Sequence, residues 1–188
     1  MSTYQELKGL KVKYLSSDTS GDRVKEGEIF YNSTDFNIKS FVASKAWHSG
    51  ANLGTARYSA GSGGTTTATF LAGGANNPPF ATKTDTEEYN GTGWGAGGNI
   101  GTARYRMGGC GTLTAGIIFG GNYPARKNET EQYDGTSWTE VANLNTARMG
   151  PFSAGTQTAA LAASGSGPPA SSVTNTANSE EWDGSSWS

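Results

Sequence analysis

Short apolar runs separated by turn residues extend through most of the chain, and they lack the three- and four-residue recurrence of an amphipathic helix. Runs such as "ATFLA" (68–72) and "AGIIF" (115–119) lie between glycine, asparagine and aspartate residues. Because glycine costs about 1 kcal/mol per helical position relative to alanine, these segments favour short strands. Between residues 57 and 96 the pattern predicts four strands, at 57–62, 66–72, 84–89 and 94–96.

The four-strand pattern occurs three times, at the period of a propeller blade. The arginines of "GTAR" (54–57), "GTAR" (101–104) and "NTAR" (145–148) each precede the glycine of a "GT" pair by seven residues. The segments "EEYNGTGW" (87–94), "EQYDGTSW" (131–138) and "EEWDGSSW" (180–187) follow. Only one distance varies: it is 15 residues from Gly74 to Tyr89, 12 from Gly121 to Tyr133 and 17 from Gly165 to Trp182. Fixed spacing indicates a scaffold that tolerates no insertion, and the variable segment indicates one surface loop per unit.

The order of these residues resembles kelch-type repeats, in which a double glycine is followed by a tyrosine, a tryptophan and an arginine. The matching residues are Gly73, Gly74, Tyr89, Trp94 and Arg104, then Gly120, Gly121, Tyr133, Trp138 and Arg148. Trp47, Trp187 and Arg57 occupy equivalent repeat positions, whereas the third unit departs with Ser164–Gly165 and Trp182. The resemblance implies an all-β fold of kelch-like β-propeller blades, with three full four-stranded repeats (about 51–98, 99–142 and 143–188) and a partial N-terminal blade.

The N-terminal part differs in composition, since residues 1–50 hold 4 of the 28 glycines but 7 of the 14 lysines and arginines. Residues 28–50 predict a hairpin that forms a partial blade, with strands at 28–31 and 38–42. Residues 1–27 are interpreted either as a disordered leader or as an anchor or docking segment, in which "KVKYL" (11–15) predicts a strand. The partial blade implies a longer propeller in the native polypeptide or completion by a partner chain, and a homo-oligomer stays open.

A second resemblance concerns the start of the chain. "MSTYQELKGLKVKYLSSD" and "EGEIFYNSTDFNIK", followed by kelch-like units, are similar to structural proteins of tailed, marine-type bacteriophages that act as tail fibres or decorate capsids. This resemblance implies a virion protein made in the bacterial host cytoplasm. It implies contacts with other virion proteins through residues 1–50 and display of the blades for host-surface adsorption or for capsid or tail decoration.

Composition removes several other classes of function. The net charge is −2 and no basic cluster exceeds two adjacent residues, so we expect no nucleic-acid partner. No apolar run approaches the roughly 20 residues of a membrane helix, and the N-terminus has no signal-peptide core. One histidine, His48, and one cysteine, Cys110, cannot build a metal site of nitrogen and sulfur ligands. We expect no metal or cofactor, with His48 in an exposed turn and Cys110 buried.

The recurring charged residues allow a catalytic and a structural interpretation. Arg57, Arg104 and Arg148 suggest an anion-binding triad, but their equivalent repeat positions favour bonds to carbonyl groups or to an acidic neighbour between blades. Acidic pairs such as Glu87–Glu88 and Glu180–Glu181 resemble the two carboxylates of glycosidases, yet a pair in every repeat favours a structural role. We therefore predict that the protein is not an enzyme, with an intracellular kelch-type interaction module and a glycan-active enzyme as the alternatives.

The variable segments 75–83, 122–128 and 166–178 are predicted to lie on one face, together with the connections between units. They carry Phe80, Tyr123, Arg126 and Lys127, which are the candidate ligand-binding residues. The ligand would be a host-surface saccharide or protein. The alternative is that these segments are ordinary solvent loops.

Overall fold

The computed structural model describes residues 3–7, 10–15, 29–34, 36–40, 50–168 and 174–188. These residues form strands and turns and contain no helix, so the prediction of an all-β fold is confirmed. Within the same ranges there is accordingly no helix that is long and apolar enough to cross a membrane. The chain divides into two compact units, Met1–Ser49 and Gly50–Ser188, which are described separately.

Nineteen strands are present in the described residues. They are β1 (Thr3–Leu7), β2 (Leu10–Leu15), β3 (Ile29–Asn32), β4 (Asn37–Ser40), β5 (Gly61–Gly64), β6 (Thr69–Ala72), β7 (Ala75–Asn76), β8 (Ala81–Thr82), β9 (Thr86–Tyr89), β10 (Trp94–Gly97), β11 (Gly108–Thr112), β12 (Ala115–Phe119), β13 (Thr130–Tyr133), β14 (Trp138–Val141), β15 (Phe152–Thr156), β16 (Ala159–Ala163), β17 (Ser166–Gly167), β18 (Thr174–Asn175) and β19 (Ser179–Trp182).

The N-terminal unit contains one sheet of four strands in the order β1-β2-β3-β4. Strands β2 and β3 pair in parallel, and the other two pairs are antiparallel. The predicted hairpin corresponds to β3 and β4, in which Tyr31 lies opposite Ile38. Of the predicted partial blade, residues 28, 35 and 41–49 with Trp47 and His48 lie outside the described residues, as do positions 1–2, 8–9 and 16–27 of the predicted anchor.

The second unit contains three larger antiparallel sheets, one from each sequence repeat. Sheet A has the order β10-β9-β6-β5, sheet B the order β11-β12-β13-β14, and sheet C the order β15-β16-β19. None of the sheets formed by the described residues closes on itself. The third repeat was predicted to have four strands, but in the described residues its last strand is a bridge between Trp182 and Trp187.

Two apolar layers lie between these sheets. Phe70 and Ala72 of sheet A, Ile118 of sheet B and the connecting residues Ile100 and Met107 form one buried cluster. The second cluster lies between sheets B and C and comprises Cys110, Ile117, Phe119, Leu144, Ala160, Ala162, Trp182 and Trp187. Cys110 is buried as predicted. The alternation of buried and exposed residues along β16 and β19 reflects the two-residue period of a strand with one buried face.

The first strand of each sheet is flanked by the first strand of its neighbour, so β11 lies between β5 and β15. A Cβ atom placed on Gly63 would lie 2.7 Å from the carbonyl oxygen of Cys110. Only glycine allows this approach of two backbones. The Ser153 hydroxyl donates across the other boundary to the Gly109 carbonyl, at 3.0 Å. The glycine-rich composition of these strands therefore has a packing cause.

Two of the sequence predictions on local structure need correction. The first strand of sheet A begins at Gly61 and not at residue 57, because the Arg57 side chain is drawn into a buried ion pair. The variable segments 75–83 and 166–178 are not wholly irregular, since they contain the short strand pairs β7/β8 and β17/β18. In the segment 122–128, Asn122 forms a bridge with Arg126.

Candidate ligand-binding face

The three repeated arginines are buried in equivalent ion pairs. Arg57 lies 2.7 Å from Glu87, Arg104 lies 2.6 Å from Glu131 and Arg148 lies 2.5 Å from Glu180, measured between guanidinium nitrogen and carboxylate oxygen. All three arginine side chains have no exposed surface, and the glutamates are nearly buried. A buried charge requires such a partner, because its desolvation is costly.

The backbone completes these ion pairs. Arg148 donates to the carbonyl groups of Ser164 and Asn178, at 3.1 and 2.8 Å. Glu180 accepts hydrogen bonds from the backbone N–H groups of Asn145 and Thr146, at 2.6 and 3.1 Å. The predicted bonds to carbonyls and to an acidic neighbour are present, but the acidic partner lies in the same repeat and not across a boundary. The arginine side chain fastens the entering segment to its own sheet.

The repeated glycines and tryptophans link one repeat to the next. The N–H of Gly74 donates to the Arg104 carbonyl at 2.9 Å, and that of Gly121 donates to the Arg148 carbonyl at 2.8 Å. Gly73, Gly74, Gly120 and Gly121 have φ angles of 61°, 92°, 65° and 115°, where other residues are strained. Trp138 Nε1 donates to Thr86 at 3.0 Å, and Trp187 Nε1 donates to Thr130 at 3.1 Å. Trp94 is half-buried.

Two of the four candidate ligand-binding residues meet in space. Phe80 and Tyr123 belong to different repeats, yet their ring centroids are 5.6 Å apart. Both side chains are 44% exposed. Tyr105 lies edge-on to Phe80 with centroids 5.6 Å apart, and Tyr58 lies edge-on to Tyr105 at 6.1 Å. These four residues, Tyr58, Phe80, Tyr105 and Tyr123, form the aromatic patch.

Backbone pairing positions the patch. Tyr58 forms a bridge with Ala75, and Tyr105 forms the equivalent bridge with Asn122. These bridges bring the connection between repeats next to the variable segments, so both contribute rings to one surface. Asn122 also donates from its side-chain amide to the Tyr105 hydroxyl at 3.2 Å.

A guanidinium group borders the patch. The exposed side chain of Arg106 places its Cζ atom 5.5 Å from the centroid of the Tyr105 ring, within the range of a cation–π interaction. Arg106 has a φ of 55°, a conformation that is uncommon for a residue with a Cβ atom. The equivalent positions Ser59 and Gly150 have φ angles of 53° and 62°, so this conformation belongs to the repeat.

The other two candidates have structural contacts. Arg126 donates to the carbonyl and the hydroxyl of Ser166, at 3.2 and 3.0 Å. Lys127 forms an ion pair with Glu129 at 2.9 Å, and this pair lowers the pKa of Glu129 against the opposing effect of burial. Arg126 therefore fastens the segment 122–128 to the segment that contains Ser166, whereas the ion pair of Lys127 is local.

Sequence reasoning missed Tyr58, Tyr105 and Arg106. The signal was present, because a tyrosine follows the repeated arginine directly in "TARY" at 55–58 and 102–105, whereas the third repeat has Met149. A difference between otherwise identical repeats marks a position that the scaffold does not require. A strand over 57–62, as predicted from the sequence, does not place this position beside the variable segments.

Two interior side chains have strongly raised pKa values, and the causes are simple. Burial raises the pKa of the Cys110 thiol to about 11, so the thiol is protonated at neutral pH. Burial and the hydrogen bond to Glu88 raise the pKa of Tyr133 to about 12. Among the residues that the structure describes, no three histidine, cysteine or acidic side chains are grouped as a metal site requires.

Comparison with known proteins bears on the fold. No protein-family model matches the chain, and no curated protein matches it. The chain is similar to a solved structure titled "Structure of YjhT", with a TM-score of 0.56 and 13% sequence identity. The match covers 81% of this chain and 48% of that one, so this chain spans about half the length of that protein. At this level of identity the similarity concerns the fold alone.

Proposed function

We propose that the chain is a non-enzymatic virion structural protein of a tailed bacteriophage. Its N-terminal unit joins it to other virion proteins, and sheets A, B and C are kelch-like propeller blades displayed at the particle surface. The aromatic patch contacts a molecule of the host surface, and its exposure is the observation that carries this proposal. The site of assembly is the cytoplasm of the bacterial host.

The stacking of the sheets supports the assignment as blades. Strands β5, β11 and β15 lie side by side, which is the arrangement of inner strands around a propeller axis. The tryptophan of each following sheet packs against an aromatic ring of the sheet before it, Trp138 on Phe70 and Trp187 on Phe119. The similarity over 81% of the chain to a protein about twice the matched length is consistent with part of a larger ring.

The use of the repeated carboxylates supports a role without catalysis. Glu87, Glu131 and Glu180 each accept bonds from a buried arginine and from backbone N–H groups. A general acid or a nucleophile of a glycosidase needs a carboxylate that faces its substrate. These glutamates face the interior, so they suit a rigid scaffold.

The chemistry of the aromatic patch favours a saccharide as the adsorption ligand. Its rings present flat apolar surfaces that suit the apolar faces of sugar rings, and three of the four carry a hydroxyl group at the edge. Arg106 adds a cation for an acidic sugar or for the sugar hydroxyls. Aromatic side chains with few rotatable bonds lose little entropy on binding, so a pre-arranged cluster binds at low cost.

Mass spectrometry of purified phage particles, with antibody labelling in electron micrographs, tests the virion assignment. We expect the chain among the particle proteins and its label on the particle surface. Absence from particles, with the chain found only in infected-cell lysate, would favour the intracellular interaction module.

Adsorption is tested separately with purified lipopolysaccharide and capsular polysaccharide of the host as probes. We expect saturable binding that Tyr105→Ala weakens at least about tenfold, since a central aromatic contact contributes more than 1.4 kcal/mol. Lys83→Ala, outside the patch, is the matched control and should bind as the unmodified chain does. Equal binding by both variants would contradict the assignment of the patch.

A further inference from the structure

Each of the three sheets has two chemically different faces. The donor face carries an aromatic pair from the third and fourth strand positions: Tyr89 and Trp94 in sheet A, Tyr133 and Trp138 in sheet B, and Trp182 and Trp187 in sheet C. The acceptor face is the opposite one. The donor face of sheet B lies on the acceptor face of sheet A, and that of sheet C on the acceptor face of sheet B. The sheets are therefore stacked in one orientation, with the donor face of each following sheet on the acceptor face of the sheet before it.

The boundary between sheets A and B defines the pairing. Trp138 packs edge-on against Phe70, with ring centroids 5.4 Å apart, and donates from Nε1 to Thr86. The Tyr133 hydroxyl donates to Glu88. Two groups on the third strand of sheet A thus accept hydrogen bonds from sheet B. The Thr86 hydroxyl accepts from the tryptophan, and the Glu88 carboxylate accepts from the tyrosine.

The boundary between sheets B and C repeats this pairing with one coupled exchange. Trp187 packs against Phe119 and donates to Thr130. Trp182 of sheet C stands at the position of Tyr133, and Gln132 of sheet B stands at the position of Glu88. Trp182 donates to the carbonyl of Gln157 instead. Within this chain, a tyrosine on the donor face therefore faces glutamate, and a tryptophan faces glutamine.

Sheet C leaves its own acceptor face open. Phe152 is 63% exposed and lies opposite Ala163 on this face. The equivalent cross-strand pair in sheet B is Gly108 and Phe119. The phenylalanine is therefore on the first strand in sheet C and on the second strand in sheet B, but it lies on the same face of both sheets. A depression of about 300 Å³ beside it is lined by residues that include Ala154, Ala159, Leu161 and Glu181.

The third strand of sheet C carries the two receiving groups. Ser179 stands where sheets A and B have Thr86 and Thr130, and Glu181 stands where sheet A has Glu88. Both Ser179 and Glu181 are exposed. Within this chain a donor-face tyrosine pairs with a glutamate, so Glu181 matches a donor face that carries a tyrosine. The donor faces of sheets A and B carry a tyrosine, and that of sheet C does not. The donor face of sheet B is already buried against sheet A.

We propose that the acceptor face of sheet C docks the donor face of sheet A from a second copy of this chain. In the docked pair, Trp94 of the second copy packs on Phe152 and donates from Nε1 to Ser179, and Tyr89 of the second copy donates from its hydroxyl to Glu181. Tyr89 and Trp94 are already in ring contact, with centroids 5.2 Å apart, so the two rings need little ordering on docking. The Tyr89 hydroxyl donates to the Gly91 carbonyl at 3.0 Å in the single chain, and it exchanges this bond for the one to Glu181.

A head-to-tail contact of this type closes into a ring when its rotation allows. Two copies supply six sheets, and the fold shared with the solved neighbour occupies 48% of that chain. A second copy would therefore fill the remaining half of such a fold. This inference depends on the sheet stacking and is independent of the adsorption function, so either can fail alone.

Sedimentation velocity on the full chain over a range of concentrations tests the proposal. We expect the mass of two chains, and we expect Phe152→Glu and Trp94→Ala each to raise the dissociation constant at least about tenfold. Phe80→Ala, at an exposed aromatic of the patch, is the control and should leave the mass unchanged. Thermal unfolding of each variant shows whether it folds.

Mixing the two interface variants separates this contact from other modes of association. Phe152→Glu retains an intact donor face and Trp94→Ala an intact acceptor face, so their mixture should form a two-chain species that neither forms alone. A single-chain mass for the unmodified protein at every concentration would overturn the proposal. Loss of the dimer with Phe152→Glu but not with Trp94→Ala would also overturn it, because the occupant would then be another segment. Assemblies larger than two chains would overturn the closed ring.

Discussion

The interior of the sheet stack and the aromatic patch use different positions of the same repeat. Buried arginines and glutamates recur at fixed spacing in every repeat, and they form equivalent ion pairs. The patch is built from Phe80 and Tyr123 of the variable segments and from a position that is tyrosine in two repeats and methionine in the third. Positions that repeat hold the sheets together, and positions that differ present the surface.

The two regions also differ in solvent exposure. The ion pair of Arg148 with Glu180 has almost no exposed surface, so loss of one partner leaves a buried charge. Three of the four rings of the patch, those of Tyr58, Phe80 and Tyr123, are 43–44% exposed, and removal of one ring leaves its neighbours in solvent. We therefore expect substitutions to separate into those that affect stability and those that affect binding.

The largest effect on stability is expected from Arg148→Ala. It leaves Glu180 buried without its cation, which costs about 3–5 kcal/mol of unfolding free energy. Chemical denaturation measures this loss. Arg106→Ala, at an exposed arginine, is the control and should change the unfolding free energy by no more than about 0.5 kcal/mol. Equal effects of the two variants would remove the distinction between the regions.

A smaller effect is expected at the boundary between sheets A and B. Trp138→Phe removes the hydrogen bond to Thr86 and part of the ring contact, and should cost about 2 kcal/mol. A double-mutant cycle with Thr86→Val isolates the hydrogen bond, with an expected coupling of about 1 kcal/mol. A coupling near zero would show that the indole acts only by its size.

The hydroxyl of Tyr133 adds a pH dependence to the same boundary. Its pKa is about 12 in the folded chain, against about 10 in an unfolded chain, so the neutral phenol is favoured by folding. This contribution is complete below pH 10 and is lost as the pH rises to 12. Unfolding measured across this range should show a steeper loss of stability for the unmodified chain than for Tyr133→Phe. Identical slopes would mean that the phenol is not held by burial and Glu88.

Much of the scaffold could be predicted from the sequence because its determinants are local and repeated. The turns "YNG" and "YDG" fix where β9 and β13 end, since Asn90 and Asp134 bond the backbone of their own turns. The start of β5 was predicted four residues early. An arginine that leaves the strand for a buried carboxylate 30 residues away has no local signal.

The patch was predicted in part for the same reason. Exposed aromatics in the variable segments identified Phe80 and Tyr123, whereas Tyr105 joins them only through the bridge to Asn122. Arg126 and Lys127 were predicted as ligand contacts from their charge. The partner of Arg126, Ser166, is 40 residues away in the sequence, whereas the partner of Lys127, Glu129, is only two residues away. Long-range pairing therefore explains Tyr105 and Arg126, but the ion pair of Lys127 is local.

The most direct test of the account measures stability and saccharide binding on one variant, Tyr105→Ala combined with Phe80→Ala. We predict that the variant stays folded and that its unfolding free energy falls by less than the about 3–5 kcal/mol expected of Arg148→Ala, because the lost ring contacts lie at the surface. We also predict that binding to the host polysaccharide probes falls at least about tenfold. Retained binding by this folded variant, or loss of binding only together with loss of the fold, would contradict the account.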